Sequence, residues 1–172
     1  MIASTHLAAG AAVGALSYRF LFRSDPVYGL VGALILGVVS HLALDGIPHS
    51  EEEIYKPDGS GQYQFIILSV ELALSFLAIY LCGAFDPFWS MPNQYLLAGM
   101  IGAGLPDAPH IIMQALKVDW KFLKVADQFN AYFHTSLHPA SFWQGFIPQI
   151  AILAISLSVL LLLKLEVIRS TP

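Results

Sequence analysis

Five stretches of mostly apolar residues, 2–22, 26–46, 63–84, 93–115 and 143–164, dominate this chain. Each is close to the roughly 20 residues that carry a helix across a bilayer. Once a backbone enters lipid, its polar groups must be satisfied within the segment, so helices are the expected elements. The composition agrees. Of 172 residues 56% are hydrophobic and 12% charged, about half the charged share of a soluble domain. The expected fold is all-α: one membrane-embedded helical domain over 1–172, with about five transmembrane helices. Residues 116–142 interleave Lys117, Trp120, Lys121, Phe122 and Lys124, which suits an interfacial helix before the last span. The loop 47–62, with Glu51, Glu52, Glu53 and Asp58, reads as solvated. No basic residue precedes the first apolar stretch, so that stretch is read as a retained helix rather than a signal peptide.

The net charge of −4 gives no basic surface for nucleic acid. The single cysteine, Cys82, offers neither a disulfide framework nor a thiolate site. Lys and Arg divide four against four between the two faces, Lys56, Lys117, Lys121 and Lys124 against Arg19, Arg23, Lys164 and Arg169, so the positive-inside rule sets no orientation.

The polar residues inside the spans carry the functional signal. His6 opens the first span, His41 and His49 end the second, His110 ends the fourth, and His134 and His138 precede the fifth. Alternating helices bring all six to one face. Asp45 and Asp107 sit among them. Glu71, about 12 Å into the third span, reaches a depth similar to His41. Ionisable residues inside a bilayer are costly and usually functional. His41 and Asp45 are an i, i+4 pair on one helix face, and His134 and His138 repeat that spacing. Any one of these histidines alone is more simply an interfacial or capping residue; the joint pattern points to a metal site. Imidazole with carboxylate suits zinc first, then iron or manganese. The candidate ligands are His6, His41, Asp45, His49, Asp107, His110, His134 and His138. They exceed one ordinary four-coordinate zinc, so two ions, or one ion with supporting residues, are both open.

Three segments also resemble a known family. Thr5-His6 with Gly10, Ser40-His41-Leu42-Ala43-Leu44-Asp45, and Leu105-Pro106-Asp107-Ala108-Pro109-His110 are similar to motifs of the membrane-bound metal-dependent hydrolases. More distantly they resemble the zinc-dependent phospholipase C superfamily. Small bacterial membrane proteins carrying Ser-His-x-x-x-Asp-x-x-Pro-His and a late Phe-His-x-x-x-His look closer still. Pro109 stands where the larger family has a second acid, and His134-Thr135-Ser136-Leu137-His138 lacks that family's Arg. The resemblance implies a divalent-metal hydrolase in a bacterial inner membrane.

The expected activity is hydrolysis of a phospholipid or other amphiphilic phosphoester at the membrane surface. Glu71, or one of the acids that is not a ligand, is the candidate general base, and Lys117 and Lys121, or a second ion, are candidates to neutralise a phosphate oxygen. Membrane lipid is the expected partner. The rival reading is a metal-ion transporter or a non-catalytic metal-binding membrane protein using the same ligands. A di-iron lipid hydroxylase is a third, although no His-x-x-His-His box accompanies His134 and His138.

Overall fold

The computed structural model describes residues 3–21, 25–49, 69–70, 72–73, 75–77, 80, 91–133 and 142–170, with the side chains of 21, 91–92, 142–143 and 164–170 left aside. All regular structure among them is helical. Helix α1 spans Ala3–Leu16 and continues as a π-helical segment, Ser17–Leu21. Helix α2 spans Pro26–Asp45, α3 Met91–Gly104, α4 Ala108–Leu116, α5 Lys121–Phe133 and α6 Phe142–Ser170.

Local chemistry sets several of these ends. Asp25 caps α2, accepting from the backbone N–H of Val27 at 2.9 Å and of Tyr28 at 3.3 Å. Pro26 follows at the first helical position, where its missing N–H is not needed. Pro106 lacks the N–H that would extend α3, and the chain turns there. Helices α3 and α4 consequently meet at 67°. The bend sets Asp107 at the corner between them, just ahead of the first turn of α4.

The core is a three-helix contact built on small residues. The buried positions of α2 are Gly29, Ala33, Gly37, His41 and Asp45, a strict i, i+4 stripe. Its first three members are small and admit α3; its last two are the polar pair. Along α1, Gly10 and Gly14 meet Gly99 and Tyr95 of α3, so these two helices run antiparallel. Gly29 and Gly37 of α2 meet Tyr95 and Gly99 in ascending order, so α2 and α3 run parallel. The start of α1 and the ends of α2 and α3 therefore share one end of the bundle. A side chain at Gly99 would run into the carbonyl oxygen of Gly10. Close approach through small residues is how helices associate where lipid gives no hydrophobic drive. Helix α6 adds Leu160 to a cluster with Ala11, Ala12, Leu96 and Met100.

The opposite face of α2 is inverted relative to a soluble helix. Val27, Val31, Ile35 and Val39 repeat every four residues and are all at least half exposed. Apolar outside and small or polar inside is the arrangement expected when hydrocarbon is the solvent. Among the described residues, Pro26–Asp45 and Gln144–Leu163 are long and apolar enough to cross a membrane, and the bent pair α3–α4 makes a third if it counts as one span. That is fewer than the five expected. Helix α1 holds fourteen residues before its ladder widens at Ser17, whose hydroxyl donates to the Val13 carbonyl at 2.8 Å. The 93–115 stretch is broken by Pro106, and most of 63–84 lies outside the described residues, although Ser69, Val70 and Ser75–Leu77 within it are helical.

Candidate metal centre

The shared end of the bundle gathers His6 from α1, and His41 and Asp45 from α2. All three are buried, at 2%, 0% and 0% exposure. The one-turn spacing of His41 and Asp45 points both side chains to the face that packs on α1. The two imidazoles stack, with centroids 3.9 Å apart and planes 22° from parallel. His6 Nε2 lies 3.1 Å from Asp45 Oδ1, and His41 Nε2 lies 2.9 Å from Asp45 Oδ2. Asp107 approaches from the α3–α4 corner, its Oδ1 3.4 Å from His41 Nε2. It is the open side of the group, with its side chain 41% exposed.

His41 is the residue whose chemistry is best determined. Its Nδ1 lies 2.6 Å from the carbonyl oxygen of Ala103. A carbonyl only accepts, so Nδ1 carries the proton and donates. In the neutral ring Nε2 is then a bare lone pair, and it faces oxygens of two carboxylates. Lone pair against carboxylate is repulsive; either a metal ion between them or a second proton on the ring, which turns Nε2 into a donor, relieves it. Short though the distances are, neither His6 Nε2 nor His41 Nε2 makes an aligned hydrogen bond, and His6 Nδ1 and the Thr5 hydroxyl are likewise buried without a hydrogen-bond partner. Unpaired polar atoms in such a place each cost about 1–3 kcal/mol. A metal ion would relieve several at once.

The spacing fits such an ion. Bonds of about 2.1 Å set two ligands about 3.0 Å apart at a right angle and about 3.4 Å apart in a tetrahedron. Each imidazole nitrogen has an Asp45 oxygen near that spacing, 3.1 Å from His6 to Oδ1 and 2.9 Å from His41 to Oδ2. His6, His41 and Asp45 thus form a group that could hold a metal ion, each offering one ligand atom within 4.8 Å of the others. The Ala103 carbonyl then holds the ring in one tautomer and orientation, a common support for a ligating histidine.

Other candidate residues lie elsewhere. His49 Nδ1 turns back to the Ile47 carbonyl at 2.6 Å. His110 is exposed on α4, its Nδ1 3.3 Å from Asp127 and its Nε2 2.8 Å from the Gln114 amide. Lys117 closes α4 in a left-handed conformation, and Lys121 opens α5; both are exposed and outside the His–Asp group. Glu71, His134 and His138 lie outside the described residues.

One residue not singled out from the sequence joins the centre. Asn130 of α5 is buried and donates from Nδ2 to Asp107 Oδ1 at 3.0 Å. Its signal was readable: Asn130 falls on the stripe Leu123–Ala126–Asn130, the inward side of an amphipathic helix, where a polar residue needs a partner.

Compared with known proteins, the chain matches no family model, no curated protein and no solved structure. The reading of this centre therefore rests on its own geometry and on the short motifs.

Proposed function

We propose that this protein is a metal-dependent hydrolase of the membrane surface, acting on a phospholipid or another amphiphilic phosphoester, in keeping with the resemblance of its motifs. The observation that carries the reading is His41: its Nδ1–H is committed to Ala103, and its buried Nε2 faces carboxylate oxygens of Asp45 and Asp107 without an aligned hydrogen bond. His6, His41 and Asp45 would hold a divalent ion, with zinc the best match to two imidazoles and a carboxylate. Such an ion supplies Lewis acidity and lowers the pKa of water toward neutrality.

The chain's own groups divide the remaining work. Three buried ligands leave a position open, the arrangement of catalytic rather than structural zinc. Asp107 lies on that open side, half in and half out of the protein, and is placed to accept a proton from an attacking water. Asn130 holds Asp107 in place from α5. The location at one end of lipid-facing helices favours a substrate whose ester lies at headgroup depth. A bacterial inner membrane is the setting the motifs imply.

Transport uses the same ligands, but it needs a route onward through the bundle. Directly below the site, α1 and α3 touch backbone to backbone at Gly10 and Gly99, which supports a closed-ended site. The decisive test starts with metal content of the detergent-purified protein by elemental mass spectrometry. It continues with turnover of a fluorogenic phospholipid with zinc or manganese, beside metal uptake into sealed proteoliposomes. Stoichiometric metal with turnover supports the hydrolase. Uptake without turnover supports transport. No metal after reconstitution reduces the cluster to a hydrogen-bonded network.

A further inference from the structure

Beside the metal centre lies a groove of about 460 Å³. That is within the range of about 300–1,000 Å³ typical of ligand sites. One wall is the end of α2, through Val38 and Leu42; the other is α5, through Phe122, Val125 and Phe129. The α3–α4 corner closes it with Leu105 and the two prolines that flank Asp107. Among the described residues, the single polar side chain on its lining is Asn130. Polarity therefore rises in one direction only: apolar wall, then Asn130, then Asp107 at 3.0 Å, then His41 at 3.4 Å.

That gradient is the shape of an amphiphile. Phe122, Val125 and Phe129 are each more than half exposed. In water such a cluster would be a liability; at a membrane it is an entrance. We infer that the groove between α2 and α5 binds one acyl chain of a membrane phospholipid, laying its headgroup ester at Asp107 and the His–Asp group. Asn130 takes two parts in this: it lines the groove, and it holds Asp107. The inference rests on the metal-centre reading for what happens to the headgroup, and on the groove alone for the chain.

The experiment separates those two supports. The full-length protein is reconstituted in phospholipid vesicles holding a trace of a lysophospholipid with a diazirine on its acyl chain, illuminated, and mapped by peptide mass spectrometry. Labelling is expected to concentrate on Leu42 and on Phe122–Phe129, above the background on Val31 and Ile35 of the outer α2 face. Ala126→Trp, which fills the groove, should cut the groove label about tenfold or more and leave both the outer-face label and the metal content unchanged. Val38→Trp fills it from the other wall and should do the same, so one poorly folding variant does not decide the matter. His41→Ala should remove the metal and keep the label; that result would leave the groove standing even if turnover were never seen. Equal labelling of groove and outer face overturns the inference, as does a label indifferent to both tryptophans. Protein–protein cross-links at α5 in place of lipid adducts would also overturn it, and would assign the groove to a second copy of the chain.

Discussion

His41 and His110 make an instructive pair. Each sits in the same sequence setting, at the end of an apolar stretch and close to an aspartate. His41 is fully buried, held by a backbone carbonyl at Nδ1 and turned at Nε2 toward two carboxylates. The side chain of His110 is 55% exposed and meets Asp127 and Gln114 where water competes for every contact. The difference comes from their helices. Helix α2 packs its i, i+4 small-residue stripe against α3 and carries His41 into the interior on the same stripe. Helix α4 begins after a 67° bend and has no buried residue. A histidine in the first setting needs a metal ion or a second proton between Nε2 and the carboxylates; one in the second has solvent.

The largest effect that could break the comparison is loss of metal. His41→Ala together with Asp45→Ala should abolish metal content in the purified protein, while His110→Ala should leave it at wild-type stoichiometry. Elemental mass spectrometry on the three proteins decides this. Equal loss in the His110 variant would mean that α4 contributes a ligand and that the two regions are one site.

Next in size is the packing that makes the first region rigid. Gly99 and Gly104 are on the same helix, five residues apart. A methyl at Gly99 would collide with the Gly10 backbone, while at Gly104 nothing lies within 4 Å. Gly99→Ala should destabilise by about 3 kcal/mol or more, because the obstacle is backbone and cannot rotate away. Gly104→Ala should be neutral or stabilise by up to about 1 kcal/mol through the unfolded chain. Thermal unfolding in detergent, followed by circular dichroism, measures both. Similar small shifts would show that α1 and α3 do not touch as closely as described.

A subtler effect belongs to Asn130, where the two regions meet. Asn130→Ala removes the donor that holds Asp107, and turnover should fall about tenfold, the lower end for residues that support a metal site, with metal affinity unchanged. Turnover and a competitive chelator titration, read side by side, decide this. If affinity falls as well, Asp107 acts on the ion rather than on substrate or water.

Much of the centre was legible in the sequence, and the reasons are specific. His6, His41 and Asp45 could be placed together because helix alternation and a one-turn spacing are geometric facts that survive errors in helix ends. Asp107 followed from its place near the end of the fourth apolar stretch, on the same face as the histidines. The carbonyl of Ala103 could not be found that way: every residue has a carbonyl, and only the register of α2 on α3 chooses one. His110 was expected with the other histidines because helix alternation brings the end of the fourth stretch to their face. Asp107, however, precedes the first turn of α4, so the two never share a helical face. Among the described residues fewer spans appear than hydropathy counts, because hydropathy is blind to a backbone that widens at Ser17 or turns at Pro106.

The smallest effect tests the exposed end of the comparison. Asp127 and His110 are 3.3 Å apart, with side chains 34% and 55% exposed. At that exposure, water and salt screen the pair, and ordering two side chains offsets what attraction remains. Asp127→Asn should therefore change stability by about 0.5 kcal/mol or less, with metal content unaltered. Asn keeps the size of the side chain and removes the charge, so packing against α4 is held constant. A double-mutant cycle with His110→Ala isolates the pair. A coupling well above 1 kcal/mol, insensitive to salt, would mean that the face between α4 and α5 is covered in the membrane-bound protein and that His110 is as enclosed in use as His41.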